Sequence, residues 1–279
     1  MTSPPYYFGS FNINDNINYF LLSKNLDFAE VKPTLFKIAH LDGEKQTGYA
    51  INSRQIQVHI GVVADSATPT RANLESKLDT LDGALRLKQQ RLQLHALDTR
   101  YFTADCISAK ATFPGTSPIK AVVQAVFLAQ IPYAYAVATS TQNIANVNLT
   151  LVSGNVYKYA DQTFAGGGTA VALPKIHLVS TNNVAWTQVQ IFDNTDSRTL
   201  TITSNLPSAT NDFIDIYCDP NQIPSGGYSV QKNGTTACAF NGVFPVLQPT
   251  NTSWTIQVTT GGSVPAGSAQ WSWQARFMR

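Results

Sequence analysis

Apolar and polar residues alternate in short stretches along much of the chain. In residues 55–63, Ile56, Val58 and Ile60 alternate with Gln55, Gln57 and His59, the period of a strand with one buried face. Residues 6–13 and 34–39 predict two strands before it, and residues 91–96, 100–113 and 119–127 predict three after it. Between the two sets the period changes. Leu74, Leu78, Leu81 and Leu85 recur at helical spacing, one apolar stripe on one face. Thr68 is the expected N-cap and Pro69 the expected first helical residue. Gly83 weakens the last turn. The stripe is narrow, so it reads as a helix packed on its own sheet rather than as a subunit contact. Three strands, a helix and three strands predict a mostly antiparallel α+β domain. Pro114 and Pro118 bracket a tight turn at Gly115-Thr116-Ser117.

Beyond residue 138 no helical period survives. Eight short strands are predicted, at residues 175–179, 185–192, 199–203, 213–218, 227–231, 236–240, 254–258 and 269–278. Turn chemistry separates them: Asn194-Thr195-Asp196-Ser197 in one place, Lys232-Asn233-Gly234 in another. This pattern predicts an antiparallel β-sandwich of two sheets, of jelly-roll type. Trp271 and Trp273 alternate with Ala275 and Phe277, and Trp254 with Ile256 and Val258, which places these tryptophans on inner faces; Trp186 begins another strand. Residues 139–172 read as a long linker, and the Gly-rich stretch 154–173 as a mobile loop. Gly166-Gly167-Gly168 precedes no helix, so it is not read as a phosphate cradle.

Composition sharpens the division. Up to residue 138 charges are frequent; beyond it Gly, Asn, Thr and Ser dominate. The boundary is expected within residues 139–146, giving domains 1–138 and 139–279. Charged residues are 13% of the 279, about half the roughly 25% of ordinary soluble domains. Such a surface is common in β-rich proteins and in subunits that bury much of themselves in an assembly. A net charge of +2 without charge blocks gives no case for nucleic-acid affinity. The longest apolar stretch, residues 121–138, contains Gln124, Gln130 and Pro132 and is rich in β-branched and aromatic residues. It reads as buried strand rather than a membrane span. The N-terminal MTSPPYYFGS has neither a basic nor an apolar signal region, so no secretory signal is expected.

Candidate chemistry is sparse. His40, His59, His95 and His177 lie far apart, and HExxH, GxSxG and Walker patterns are absent. Structural or surface roles are expected for all four. Asp193, Asp196, Asp212, Asp215 and Asp219 cluster, and turn and cap roles are expected for them. In a continuous strand Asp215 and Asp219 lie about 13 Å apart, too wide for the paired carboxylates of glycoside hydrolysis. No EF-hand spacing is present. Cys106, Cys218 and Cys238 form no metal motif and read as core thiols, with a Cys218–Cys238 bridge left open. No catalytic, cofactor or metal residue is assigned.

The order of elements from Val189 to Asn251 resembles the C-terminal sandwich of siphophage distal tail (Dit) proteins. It runs through Ile191 to Thr195, Leu200 to Thr203, the Asp-rich stretch Asp212 to Asp219, and Gly242-Val243-Phe244-Pro245-Val246-Leu247 to Pro249-Thr250-Asn251. The first half is similar to the family's N-terminal belt: the helical segment 71–85, residues 90–96, Arg100-Tyr101-Phe102-Thr103-Ala104, and an apolar strand leaving through Ile131-Pro132-Tyr133-Ala134-Tyr135. The sequence departs from the family at Pro249-Thr250-Asn251, where Pro-Gly-Asn is usual, and in the length of segment 139–172. The resemblance implies a mainly β protein with one helix, a ring-forming belt domain and a galectin-like sandwich. It also implies a structural role without catalysis or cofactor. The belts would form a hexameric ring between the tail tube protein and the tip hub. The tape-measure protein and genome would pass through it, and receptor-binding proteins would dock outside. Such a protein is made in the host cytoplasm and resides at the virion's tail tip.

Two other readings stand beside it. A carbohydrate-binding sandwich would use exposed tryptophans, although the His-Asn-Arg and Trp-Glu-Arg patterns of true galectins are missing. A hydrolase would need a site assembled in space from His59, His95 or His177.

Overall fold

The computed structural model describes residues 6–26, 31–37, 44–51, 53–67, 69–94, 99–115 and 119–277. The chain is mainly β, with one α-helix among the described residues, Arg71–Leu85. It divides into two compact units between Val137 and Ala138.

The first unit is built on an antiparallel sheet. Its strands follow the order Phe11–Asn12, Tyr7–Phe8, Gln90–Gln93, Arg100–Thr112, Lys120–Ala129, Arg54–Val63, Tyr19–Leu26. Arg54–Val63 and Lys120–Ala129 pair in unbroken register from Arg54↔Ala129 to Val63↔Lys120. Alternation does the rest: Ile56, Val58, Ile60 and Val62 are buried beside Val123, Ala125 and Phe127. Phe8 closes over this face with its ring 5.0 Å from Phe127. The helix adds Leu74, Leu81 and Leu85, all buried, while Leu78 is half-buried. Tyr19 ties strand to helix by donating its hydroxyl to the Lys77 carbonyl at 3.0 Å. Burial, and then the nearby Asp15, push that phenol up to about 12. A separate two-stranded ribbon pairs Val31–Lys37 with Glu44–Ile51.

Several expectations shift here. The helix starts at Arg71, and its N-cap is Thr70, whose hydroxyl accepts from the Asn73 N–H at 3.1 Å. Pro69 therefore precedes the cap, and Thr68 lies outside the described residues. The cap belongs to the residue whose hydroxyl reaches the third N–H of the first turn. Residues 6–13 are not one strand but two short ones, paired Tyr7↔Asn12 and Phe8↔Phe11 across Gly9. Tyr19–Leu26 and Glu44–Ile51 are additional strands. The apolar stretch 121–138 forms two strands, Lys120–Ala129 and Ala134–Ala136, and no helix among the described residues is long and apolar enough to cross a membrane.

The second unit is an antiparallel sandwich. One sheet has the order Ser140–Asn148, Ala266–Trp273, Lys175–Ser180, Phe213–Tyr217, Val230–Lys232, Thr236–Ala237; the other runs Thr150–Ser153, Val156–Lys158, Asn251–Thr260, Trp186–Asp193, Arg198–Ile202, Phe240–Gly242. Gln162–Ala165 also pairs with Asn251–Thr260. Ile176, Leu178, Ile214 and Ile216 of the first sheet pack with Val189, Ile191, Ile202 and Val258 of the second in one apolar cluster.

Segment 139–172 is therefore not a linker but four strands, and the Gly-rich stretch is built into the fold rather than loose. Ala172 and Leu247 exchange backbone hydrogen bonds at 2.8 and 2.9 Å. Gly168 has φ +74°, and a Cβ there would lie 2.1 Å from the Arg276 carbonyl oxygen, a close approach only glycine permits. The Asn-Gly hairpin forms as expected: Asn233 and Gly234 both have positive φ, and the Thr235 N–H donates to the Lys232 carbonyl at 3.1 Å, the geometry of a primed turn. All four tryptophans are buried. The alternation expected through Ala275 and Phe277 slips after Trp273, however, where the strand ends and Arg276 is buried instead.

Candidate assembly surfaces

The long strand Arg100–Thr112 is paired unequally. On one side Asp105–Thr112 follows Lys120–Ala129, with a bulge between Cys106 and Ser108. On the other, Gln90–Leu92 pairs only with Phe102–Ala104. Beyond Ala104 no strand of the described residues continues that side, and residues 107–112 are exposed, Ile107 at 51%. A groove runs beside this edge, lined by Leu78, Asp79 and Leu85 of the helix and by Ala109 and Ala111 of the strand.

Across the same sheet, Tyr19–Leu26 pairs with Arg54–Val63 on one side, and no strand of the described residues pairs with the other. This second edge carries exposed Leu22 and Leu26, with Ile17 at 68% just before it. Leu22 is the extra residue of a bulge between Leu21 and Ser23. Among the described residues the unit thus has two long open edges of different sequence, each with large exposed apolar side chains and separated by two fully paired strands, while the two-residue strand Phe11–Asn12 ends the sheet beyond Tyr7–Phe8. The sheet's remaining face is mixed, with half-buried Val122, Val126 and Leu128 among polar residues. It carries Gln55, Gln57, Gln124 and His59, and His59 Nδ1 lies 2.7 Å from Ser23 Oγ.

The aromatic-proline segment packs back on the unit: Tyr135 pairs with Tyr101, and the rings stack at 5.8 Å.

In the second unit the acidic residues act mainly on backbone. Asp193 Oδ1 accepts from the Thr195 and Asp196 N–H groups at 3.0 and 3.1 Å. Burial still pushes its carboxyl up, partly offset by those bonds. Asp212 accepts from Asn233, Ser208 and Lys232, which hold its carboxyl well below the usual range. The strand ends at Tyr217, so Asp219 does not share its face; it caps the short 3-10 turn Pro220–Gln222. Asp215 is the exception. It lies buried on the sheet's outer face, 2.8 Å from His177 Nδ1 and 3.1 Å from Lys175 Nζ. Burial raises its carboxyl, but the bonds from His177 and Lys175 outweigh burial and leave it below the usual range.

Among the described residues no serine, threonine or cysteine is bonded to the His177 ring, and no carboxylate is bonded to the His59 ring of the Ser23–His59 pair. His40 and His95 lie outside the described residues. Cys106, Cys218 and Cys238 are free thiols, so Cys218 and Cys238 are not bridged; burial pushes all three upward. Among the described residues no cluster of three or more His, Cys, Asp or Glu could hold a metal ion. The buried tryptophans offer no exposed face to a sugar. The sequence carries no mark of the open edges, because Ile107 and Leu22 sit in ordinary strand patterns and only pairing reveals which sides stay open.

These two units define a class: a helix-bearing antiparallel sheet followed by an antiparallel sandwich, the fold of phage Dit proteins. Among solved structures the chain is similar to the SPP1 Dit protein (gp 19.1), described as a paradigm of the hub adsorption apparatus in phages infecting Gram-positive hosts. The TM-score is 0.65 at 13% identity, covering 96% of this chain and 97% of that one. A chain of the phage P2 baseplate in its activated conformation with Ca aligns at TM-score 0.40 and 9% identity, over 88% of this chain and 92% of its own. No protein-family model and no curated protein sequence matches.

Proposed function

We propose that this chain is a distal tail protein of a long-tailed, non-contractile phage, a structural part of the virion's tail tip without catalytic activity. The first domain, residues 1–138, is the belt of a homo-hexameric ring. The second, residues 139–279, is a galectin-like sandwich on the ring's outside. The ring joins the tail tube protein to the tip hub and leaves a passage for the tape-measure protein and genome. The sandwich docks receptor-binding proteins.

The observation that carries this reading is the likeness of fold along nearly the whole of both chains. The open edges support the ring. Between them the strands alternate in direction, so Tyr19–Leu26 and Ile107–Thr112 run opposite ways. A second copy in the same orientation can set one edge against the other and keep the antiparallel alternation. Because the two edges differ, the contact is heterologous, and its repetition gives a ring when the rotation from copy to copy closes. Low charge agrees with large buried contacts, whose centres are depleted of charged residues.

The test is the solution mass of the purified protein by light scattering, with negative-stain images of the same sample. A ring of six copies is expected, alone or once the tail tube protein is added. A chain that stays monomeric or strictly dimeric in both conditions defeats the proposal.

A further inference from the structure

The outer face of the sandwich's first sheet holds a straight cross-strand row of polar residues: Asn143, Gln270, His177, Asp215 and Gln231, each in register with the next. Polar rows on an outer face are ordinary where each residue is simply solvated. This one is graded. At one end Asp215 and Gln231 are buried and bonded: Asp215 to His177, Lys175 and Tyr217, and Gln231 to Tyr217 and the Tyr228 N–H. This end is structural, and it fixes the His177 ring through Nδ1. At the other end Asn143 and Gln270 are exposed, joined by one hydrogen bond from Gln270 Nε2 to Asn143 Oδ1 at 2.8 Å. The Asn143 amide N–H groups, Gln270 Oε1 and His177 Nε2 engage no other described residue. Neighbouring strands lie about 4.8 Å apart, so these three side chains span about 10 Å, the length of one or two sugar rings. Phe213 lies beside them, its ring 5.0 Å from that of His177, an apolar plane for the C–H face of such a ring.

We propose that Asn143, Gln270 and His177 form a binding subsite for a neutral saccharide. The chemistry selects against other ligands. Lys175, two residues before His177 on the same strand, is paired with Asp215, so it is not a free positive charge for a phosphate. The row itself has no large apolar residue, and half-buried Phe213 beside it is too small an apolar area to anchor a protein partner. What remains is a set of neutral donors and acceptors at fixed spacing, suited to a string of hydroxyls. The inference concerns the sandwich and does not depend on ring formation.

The test uses the full chain labelled for NMR, titrated to millimolar levels with neutral hexoses, N-acetylhexosamines and their short oligomers, and separately with inorganic phosphate. Shifts confined to the His177 ring and the Asn143 and Gln270 side-chain amides are expected for at least one saccharide. Gln270→Ala and Asn143→Ala, both at exposed positions, should each weaken that binding about fivefold to tenfold while leaving the rest of the spectrum unchanged. No response to any saccharide overturns the proposal. So does binding that both variants leave intact, or a response at the row to phosphate alone.

Discussion

Single carboxylates set much of the sandwich's local order, and their environments push them in opposite directions. Asp212 holds the turn from Ser208 to the Asn233 hairpin, and its partners keep its folded carboxyl below the ordinary value of 3.8. A group depressed on folding contributes stability that is complete above the unfolded value and is lost as pH falls through the folded one. Asp193 is raised by burial, so its ionisation works against the fold, and protonation relieves it on acidification. Asp212→Asn is therefore expected to lower stability at neutral pH and to flatten the decline below about pH 4. Denaturant titrations of both proteins across that range check this; parallel pH curves would show that Asp212 is not coupled to folding. Gly168 offers a second residue-scale test. Gly168→Ala should cost at least about 2 kcal/mol, since a left-handed residue alone costs roughly 1–2 and the added methyl must also displace the Arg276 carbonyl. A shift in urea midpoint at constant slope would register it.

Elements were legible where one face is buried and the other is not. Arg54–Val63, Trp186–Asp193 and Asn251–Thr260 alternate almost perfectly, and burial imposes that pattern on the sequence. Ser140–Asn148 was invisible because only Ile144 is buried in it; its order comes from backbone pairing with Ala266–Trp273, which any polar sequence can supply. The open edges were illegible for a related reason. An edge is a missing neighbour, and composition carries no mark of it. The short strand Gln162–Ala165 was masked by the glycines after it, yet Phe164 sits among Trp254, Trp271 and Trp273 at 6.3, 5.5 and 5.2 Å. Phe164→Ala is accordingly expected to destabilise the sandwich by about 2–4 kcal/mol, somewhat under the full cost of a buried phenylalanine because the ring is half-buried. If the segment were a loose loop, the loss would stay within the range of about 0.5 kcal/mol typical of surface changes.

At the scale of the whole molecule, two unlike edges make a sharper prediction than ring formation alone. If each copy joins its neighbours edge to unlike edge, an acidic residue on one edge leaves the other intact. Leu22→Asp should block the Tyr19–Leu26 edge and Ile107→Asp the opposite one; both side chains are more than half exposed, so each variant should fold. Alone, each variant lacks one half of the contact and should remain monomeric. Mixed, the intact Ile107 edge of the first meets the intact Leu22 edge of the second. One interface forms and none can follow, so the mixture should yield dimers and no ring. A self-complementary contact behaves differently. If the same edge paired with itself, one variant would still dimerise alone, and mixing would add nothing. Light scattering of each variant and of the equimolar mixture separates the two cases, and dimers that appear only on mixing are the outcome expected of a contact between unlike edges.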